Sequence, residues 1–459
     1  MRLNPTLNRA QLMTAVPHPP PRPGPRQGPR PLALHMVLEG WILQMSFAGL
    51  MSSKSAWPLS SPLASPLQIP ESLLSPLRAL VAEAVKENPL HQNPQHQTQA
   101  SPDARAWNSV LDPAAFIDAI TRQAGARMET FVRGVRAYQA HPYRRSLAAP
   151  ASVWRRGAAH LLDYAGPKNA PPVVFVPSLV NRAYILDLAE DRSLLRFSAA
   201  SGLRTFLLDW GDPGDTERQF NLEDYIDGVL IPALEEIKHR TGQAPRVVGY
   251  CMGGTLAVAA AVLRPDLLSA LALLAAPWDF HNGTEASRVL LEMSRPVLEV
   301  MLKAEGGASV DMLQGLFATL DPTLAGRKFR GFAGVDPASE HARRFVELED
   351  WLNDGVPLAG PVAEEVLFGW YGRNAPAKGE WKVGDVGIDP GRIGCPALAF
   401  IPSQDRIVPP GSAAALAAAI PKAQAVNVDL GHIGMVAGTG AAAHVYAPLL
   451  AWLKNPPRP

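Results

Sequence analysis

The sequence predicts an α/β fold, a mostly parallel sheet flanked by helices, and three observations carry that expectation. After Pro171, short apolar runs of strand length alternate with helical periods. The runs are apolar throughout instead of alternating with polar residues, the pattern of strands buried on both faces. Turn residues follow each run and set its end.

In chain order, residues 1–34 read as a Pro/Arg-rich arm. Its run "PHPPPRPGPRQGPRP" has too few apolar side chains to bury and is expected to stay extended or disordered. Met13 and Met36 offer alternative translation starts. The apolar run from Met36 to Met51 is too short for about 30 Å of hydrocarbon and contains Glu39, so it does not read as a membrane span. It also lies behind the prolines, the wrong place for a signal peptide. Residues 35–150 form a helical N-terminal region. Helical periods at 70–88 and 112–145 flank the polar linker "HQNPQHQTQASPDAR".

Residues 151–459 are expected to form the catalytic domain. Its strands are "VVFV" (173–176), "TFLLD" (205–209), "RVVGY" (246–250), "LALLAAP" (271–277), "ALAFI" (397–401) and "AVNVD" (425–429). Asn221 and Asp224 open a helix over "YIDGVLIPALEEIKHR". Between about 281 and 390 no strand of that quality occurs. The interval is helical and carries Trp351, Trp370, Tyr371 and Trp381, so it reads as a cap inserted over the site, or alternatively as an embellishment on the sheet flank.

Composition narrows the function classes. With 43 Lys+Arg against 42 Asp+Glu, the chain lacks the basic excess a nucleic-acid binder uses to displace counterions. Two cysteines, Cys251 and Cys395, are too few for a disulfide framework and fit a reducing, cytoplasmic compartment. Neither a metal-ligand motif nor a Gly-rich nucleotide loop of the Gly-x-x-x-x-Gly-Lys type occurs.

The chemistry concentrates in "RVVGYCMGGT". An apolar strand runs into Gly249-Tyr250-Cys251-Met252-Gly253 and then into an alanine-rich helix, the Gly-x-nucleophile-x-Gly arrangement of a nucleophile elbow. The turn is tight enough to demand glycine on both sides, and it pushes Cys251 out at a helix N-terminus, which favours a thiolate. Met252 then offers its backbone N–H to a developing oxyanion. The second donor is expected from the loop "PSLVNR", at Ser178, Leu179 or Val180, and Leu179 is taken as its representative.

An elbow enzyme needs an acid and then a histidine downstream, each just past a strand. Asp405 in "ALAFIPSQDRIVPP" and His432 in "AVNVDLGHIGMV" stand in those places and in that order. Asp279 in "APWDFH" also follows a strand and ranks second for the acid, whereas His281 and His341 read as surface or cap residues. These residues predict the α/β-hydrolase fold with a Cys251–His432–Asp405 triad. His432 handles the proton of the thiol or of an incoming hydroxyl, and Asp405 orients the imidazole.

Five stretches together resemble the poly(3-hydroxyalkanoate) synthase family: "VPSLVNRAYILDLAEDRSLLRFSAASGL", "LLDWGDPGDTERQFNLEDYIDG", "GYCMGGT", "QDRIVPP" and "GHIGMV". The likeness runs from about residue 150 to 455 and follows the shorter, two-subunit type in its core motifs; the preceding region resembles neither type. The resemblance implies acylation of Cys251 by an (R)-3-hydroxyacyl-CoA, with Asp405 and His432 completing the site. It further implies no cofactor beyond the CoA of the substrate, association with a polymer granule, and either a homo-oligomer or an activating second subunit. Two other readings fit the same residues: an esterase or thioesterase with water as acceptor, and a granule- or membrane-surface scaffold with a vestigial site.

Overall fold

The computed structural model describes residues 26–40, 113–283 and 285–457. The helix expected at 70–88, the linker after it and the end of the Met36–Met51 run lie outside the described residues. The described chain divides into two compact units. One is built from Arg144–Leu313 and from Asp350 onward, the other from residues within Pro23–Tyr143 and from Gln314–Glu349.

The first unit is organised around an eight-stranded sheet: β1 (Ala151–Arg156), β2 (Ala159–Asp163), β3 (Pro172–Val176), β4 (Arg204–Asp209), β5 (Arg246–Tyr250), β6 (Ala270–Leu274), β7 (Ala397–Pro402) and β8 (Gln424–Val428). Their order across the sheet is β1-β2-β4-β3-β5-β6-β7-β8, antiparallel at β1–β2 and β2–β4 and parallel elsewhere. All six strands expected from apolar runs are present. Every residue of β3, β6 and β7 is buried, and each Val, Leu or Phe so covered contributes about 1.5–3 kcal/mol of burial. Strand β8 lies at the edge and exposes most of its length, so its apolar pattern overstated its burial.

Register brings the strand ends level. Val176 of β3 lies opposite Gly249 of β5, which lies opposite Leu273 of β6. The loops after these strands therefore open at one end of the sheet, where α/β sheets place their sites. The helix expected after Asn221 begins with a reciprocal cap, Asn221 Oδ1 accepting from the Asp224 N–H and Asp224 Oδ2 from the Asn221 N–H.

The second unit contains a helix over residues 32–40, helix α1 (Pro113–Ala140), and two helices from the interval that the sequence assigned to one cap. Residues 314–349 do not stay with the rest of 281–390: they supply Phe329, Phe332, Ala342 and Val346, which close a core around Phe131, Val135 and Tyr138 of α1. Gly134 permits this closeness, because a Cβ there would sit 1.8 Å from the Phe329 carbonyl oxygen. The boundary expected at residue 34 also moves. Residues 26–31 are placed because Arg26 reaches the carbonyls of Tyr138, His141 and Tyr143, and the helix at 32–40 carries Glu39 to an ion pair with Arg330. Among the described residues, no helix is long and apolar enough to cross a membrane.

Candidate active site

Strand β5 ends in the elbow. Cys251 has φ 54° and ψ −131°, a conformation that L-residues adopt only where the surroundings enforce it. The enforcement is visible: the Cys251 N–H donates to the Leu274 carbonyl at 2.9 Å, and its own carbonyl accepts from the Gly254 N–H at 2.9 Å. Helix α2 (Met252–Leu263) starts at the next residue, so Cys251 is its N-cap and stands at the positive end of its dipole.

The glycines of the motif are dictated by contact. A Cβ at Gly249 would lie 2.3 Å from the Gly254 Cα, and one at Gly253 would lie 2.2 Å from the Val176 carbonyl oxygen and 2.3 Å from that of Pro177. Sequence reading identified both but missed Gly254, where a Cβ would meet the Ala276 methyl at 2.4 Å. Gly253→Ala is expected to destabilise the protein by about 3 kcal/mol or more, since the obstruction is backbone. Gly125→Ala is the control: its Cβ meets nothing within 4 Å, and it should change stability by about 1 kcal/mol or less, in the stabilising direction. Urea unfolding of the two variants checks the contrast.

The same Gly253 contact seats the loop after β3 against the elbow. Trp210 donates its indole N–H to the Pro177 carbonyl at 3.0 Å and fixes the loop from the other side. Of the three residues expected to offer the second oxyanion donor, Val180 already gives its N–H to the Ser178 hydroxyl at 3.0 Å. Leu179 and Met252 are both buried beside the elbow.

The fold brings Asp405 and His432 into contact. His432 Nδ1 donates to Asp405 Oδ2 at 2.6 Å. The other carboxylate oxygen, Oδ1, accepts the N–H groups of Ile407 at 2.8 Å and Val408 at 2.9 Å, which holds the carboxylate in its turn. Asp405 and His432 are buried, whereas Cys251 is partly exposed, so Cys251 is the member of the set open to solvent. Cys251 and Asp405 are the two groups that act electrostatically on the imidazole. Burial works against a charged imidazole, but the charge on Cys251 and the bond to Asp405 outweigh it, and His432 is pushed up to about 10.

Asp279, the competing acid, is engaged elsewhere: its Oδ1 accepts from the Asn374 side-chain amide at 2.8 Å and from the His281 N–H at 3.1 Å. His281 is exposed, with Nε2 near the carbonyls of Tyr371 and Gly372, and His341 is exposed on the helix Glu340–Asn353. These contacts pin the π-helical turn Glu365–Gly372 to the loop after β6. There Phe280 packs against Trp370 at 5.3 Å and Tyr371 at 4.9 Å, and Trp381 meets Trp370 at 5.0 Å and Trp278 at 6.0 Å between ring centroids. Tyr371 is exposed at the rim of this cluster, and desolvation together with the charges of Cys251 and Asp405 raises its phenol. The sequence showed Trp370, Tyr371 and Trp381 as large residues in a helical interval; Asn374, which ties that interval to the loop after β6, carried no signal.

Residues 171–438 match the alpha/beta hydrolase fold family. The chain is 27% identical over 308 residues to a poly(3-hydroxyalkanoate) polymerase subunit of Haloferax mediterranei, covering 65% of this chain and 62% of that protein. It is 26% identical over 313 residues to the subunit of that name from Allochromatium vinosum, covering 66% and 88%, and 32% identical over 273 residues to that of Synechocystis, covering 58% and 72%. The chain thus spans less than two thirds of the Haloferax relative.

Proposed function

Because the chain belongs to the alpha/beta hydrolase fold family and, within it, to the poly(3-hydroxyalkanoate) polymerases, we propose that it is an acyltransferase that polymerises (R)-3-hydroxyacyl-CoA through a covalent thioester on Cys251. The observation that carries this reading is a cysteine, in place of a serine, in a strained elbow next to a buried Asp405–His432 pair.

In the first half-reaction His432 takes the thiol proton as the Cys251 sulfur attacks the acyl carbonyl carbon. A tetrahedral oxyanion forms between the N–H groups of Met252 and Leu179, the C–S bond to CoA breaks, and CoA leaves as its thiol with a proton from His432. One thioester replaces another, so little free energy is lost and the acyl group stays activated. In the second, the hydroxyl oxygen of another hydroxyacyl unit attacks the Cys251 thioester. His432 takes the hydroxyl proton, the C–S bond to Cys251 breaks with that proton passing to the sulfur, and an oxoester remains. A serine ester would dissipate the activation at the first step. Asp405 holds the imidazole throughout and offsets its charge.

Transfer competes with hydrolysis, and the Phe280, Trp370, Tyr371 and Trp381 cluster supports a site that keeps water from the acyl-enzyme. The exposed stripe Val289, Met293, Val297 and Val300 on helix Glu285–Glu305 supports granule association in the cytoplasm. An activating second subunit or a second copy of the chain belongs to the same reading.

The test follows CoA release from (R)-3-hydroxybutyryl-CoA, with polymer and free acid quantified together. Polymer formation that depends on Cys251 supports the proposal; cysteine-dependent release yielding only free acid would replace it with a thioesterase. Tyr371→Ala is expected to raise the acid-to-polymer ratio by about 3-fold or more, and an unchanged ratio would remove the aromatic cluster from the account.

A further inference from the structure

We propose that Tyr250 is a positioning residue for His432, so that the strand presenting the nucleophile also sets the base that serves it. The Tyr250 hydroxyl donates to the backbone carbonyl of His432 at 3.2 Å, and the two rings lie 5.1 Å apart between centroids at an angle of 33°. Tyr250 is 3% exposed, so this bond forms without competing water.

The Asp405 contact fixes one nitrogen of the imidazole but leaves two freedoms. The loop carrying His432 can shift, and the ring can rock about its bond to the carboxylate. Tyr250 addresses both: its hydroxyl anchors the backbone of His432, and its ring covers a face of the imidazole. Because Tyr250 precedes Cys251 directly, the placement of base against nucleophile passes through a single peptide link. The strand beneath is itself held, with Tyr250 opposite Leu274 of β6. A ring that served only as core would need no hydroxyl, and a buried hydroxyl requires an acceptor. The acceptor Tyr250 takes belongs to the histidine, 182 residues away in sequence.

The inference rests on Cys251 and His432 acting as nucleophile and base, and is independent of the acyl acceptor. It is tested by the rate at which iodoacetamide alkylates Cys251 in the full chain, followed by peptide mass mapping from about pH 6 to about pH 10. Tyr250→Phe keeps the ring and removes the donor. It is expected to slow alkylation at neutral pH by about 3- to 10-fold, to converge with the wild type at high pH, where an ordinary thiol near 8.5 ionises unaided, and to have no further effect in a His432→Ala background. A Tyr250→Phe profile that superimposes on the wild type would overturn the inference, as would an equal slowing in the His432→Ala background. Should Tyr250→Phe fail to fold, Tyr250→Met, which lacks both ring and donor, is read in the same way with a larger expected loss. If His432→Ala itself leaves the wild-type profile unchanged, the nucleophile–base assignment fails and this inference fails with it; a null result confined to the Tyr250 variants removes this inference alone. A merely structural Tyr250 would shift the melting temperature and leave the pH profile in place.

Discussion

Cys251→Ala is expected to reduce CoA release from (R)-3-hydroxybutyryl-CoA by about 10⁴-fold or more, the scale of losing a nucleophile that acts as a unit with its base. The protein should fold as the wild type does. What holds the elbow is the backbone, through the Cys251 N–H to Leu274 and the glycine contacts around it, and the thiol takes no part in those contacts. The strained φ of 54° is retained at similar cost by alanine. Melting curves that overlay, combined with lost release, would assign the loss to chemistry. Release at more than about a tenth of the wild-type rate would mean that acylation occurs elsewhere.

Asp405→Asn should lower turnover by about 10²- to 10⁴-fold while keeping the loop, because an amide oxygen can still accept from Ile407 and Val408. The change also has a pH signature. His432 is raised to about 10 by Cys251 and Asp405 acting against burial. A histidine raised in the folded state stabilises it fully below its unfolded value of about 6.5 and loses that contribution as the pH climbs toward the folded value. Removing the Asp405 charge lowers the folded value and so reduces the stabilisation. The melting-temperature gap between wild type and Asp405→Asn is therefore expected to be widest near pH 6 and to narrow by about pH 10. A gap that widens with pH would contradict the assigned role.

The frame of the candidate site was legible because its physical requirements are local. A buried parallel strand must be apolar on both faces, and an elbow must have glycine where backbone meets backbone, so β3, β5, β6 and β7 and the Gly249–Gly253 turn could be read from single stretches. Asp405 and His432 needed only one further constraint, their order after successive strands. What escaped was set at a distance. Strand β1 is a largely exposed edge, and neither it nor β2 shows a continuous apolar run of the length that marks the buried strands. Helical periodicity in 314–349 shows which side chains seek cover, but Phe329 and Phe332 do not reveal that α1 supplies it. Tyr250 occupied a position in the motif that any residue can fill, and its bond to the His432 carbonyl has no counterpart in local sequence. Asn374 likewise joins Asp279 and the Phe280 N–H across a span that no local pattern encodes.

The central claim, an acyl thioester on Cys251, is tested most directly by intact and peptide mass spectrometry after acid quenching of the protein mixed with (R)-3-hydroxybutyryl-CoA. A hydroxybutyryl adduct is expected on the peptide containing Cys251, labile to hydroxylamine and absent from Cys251→Ala. CoA release accompanied by an adduct on another residue, or by equal turnover in Cys251→Ala, would contradict it.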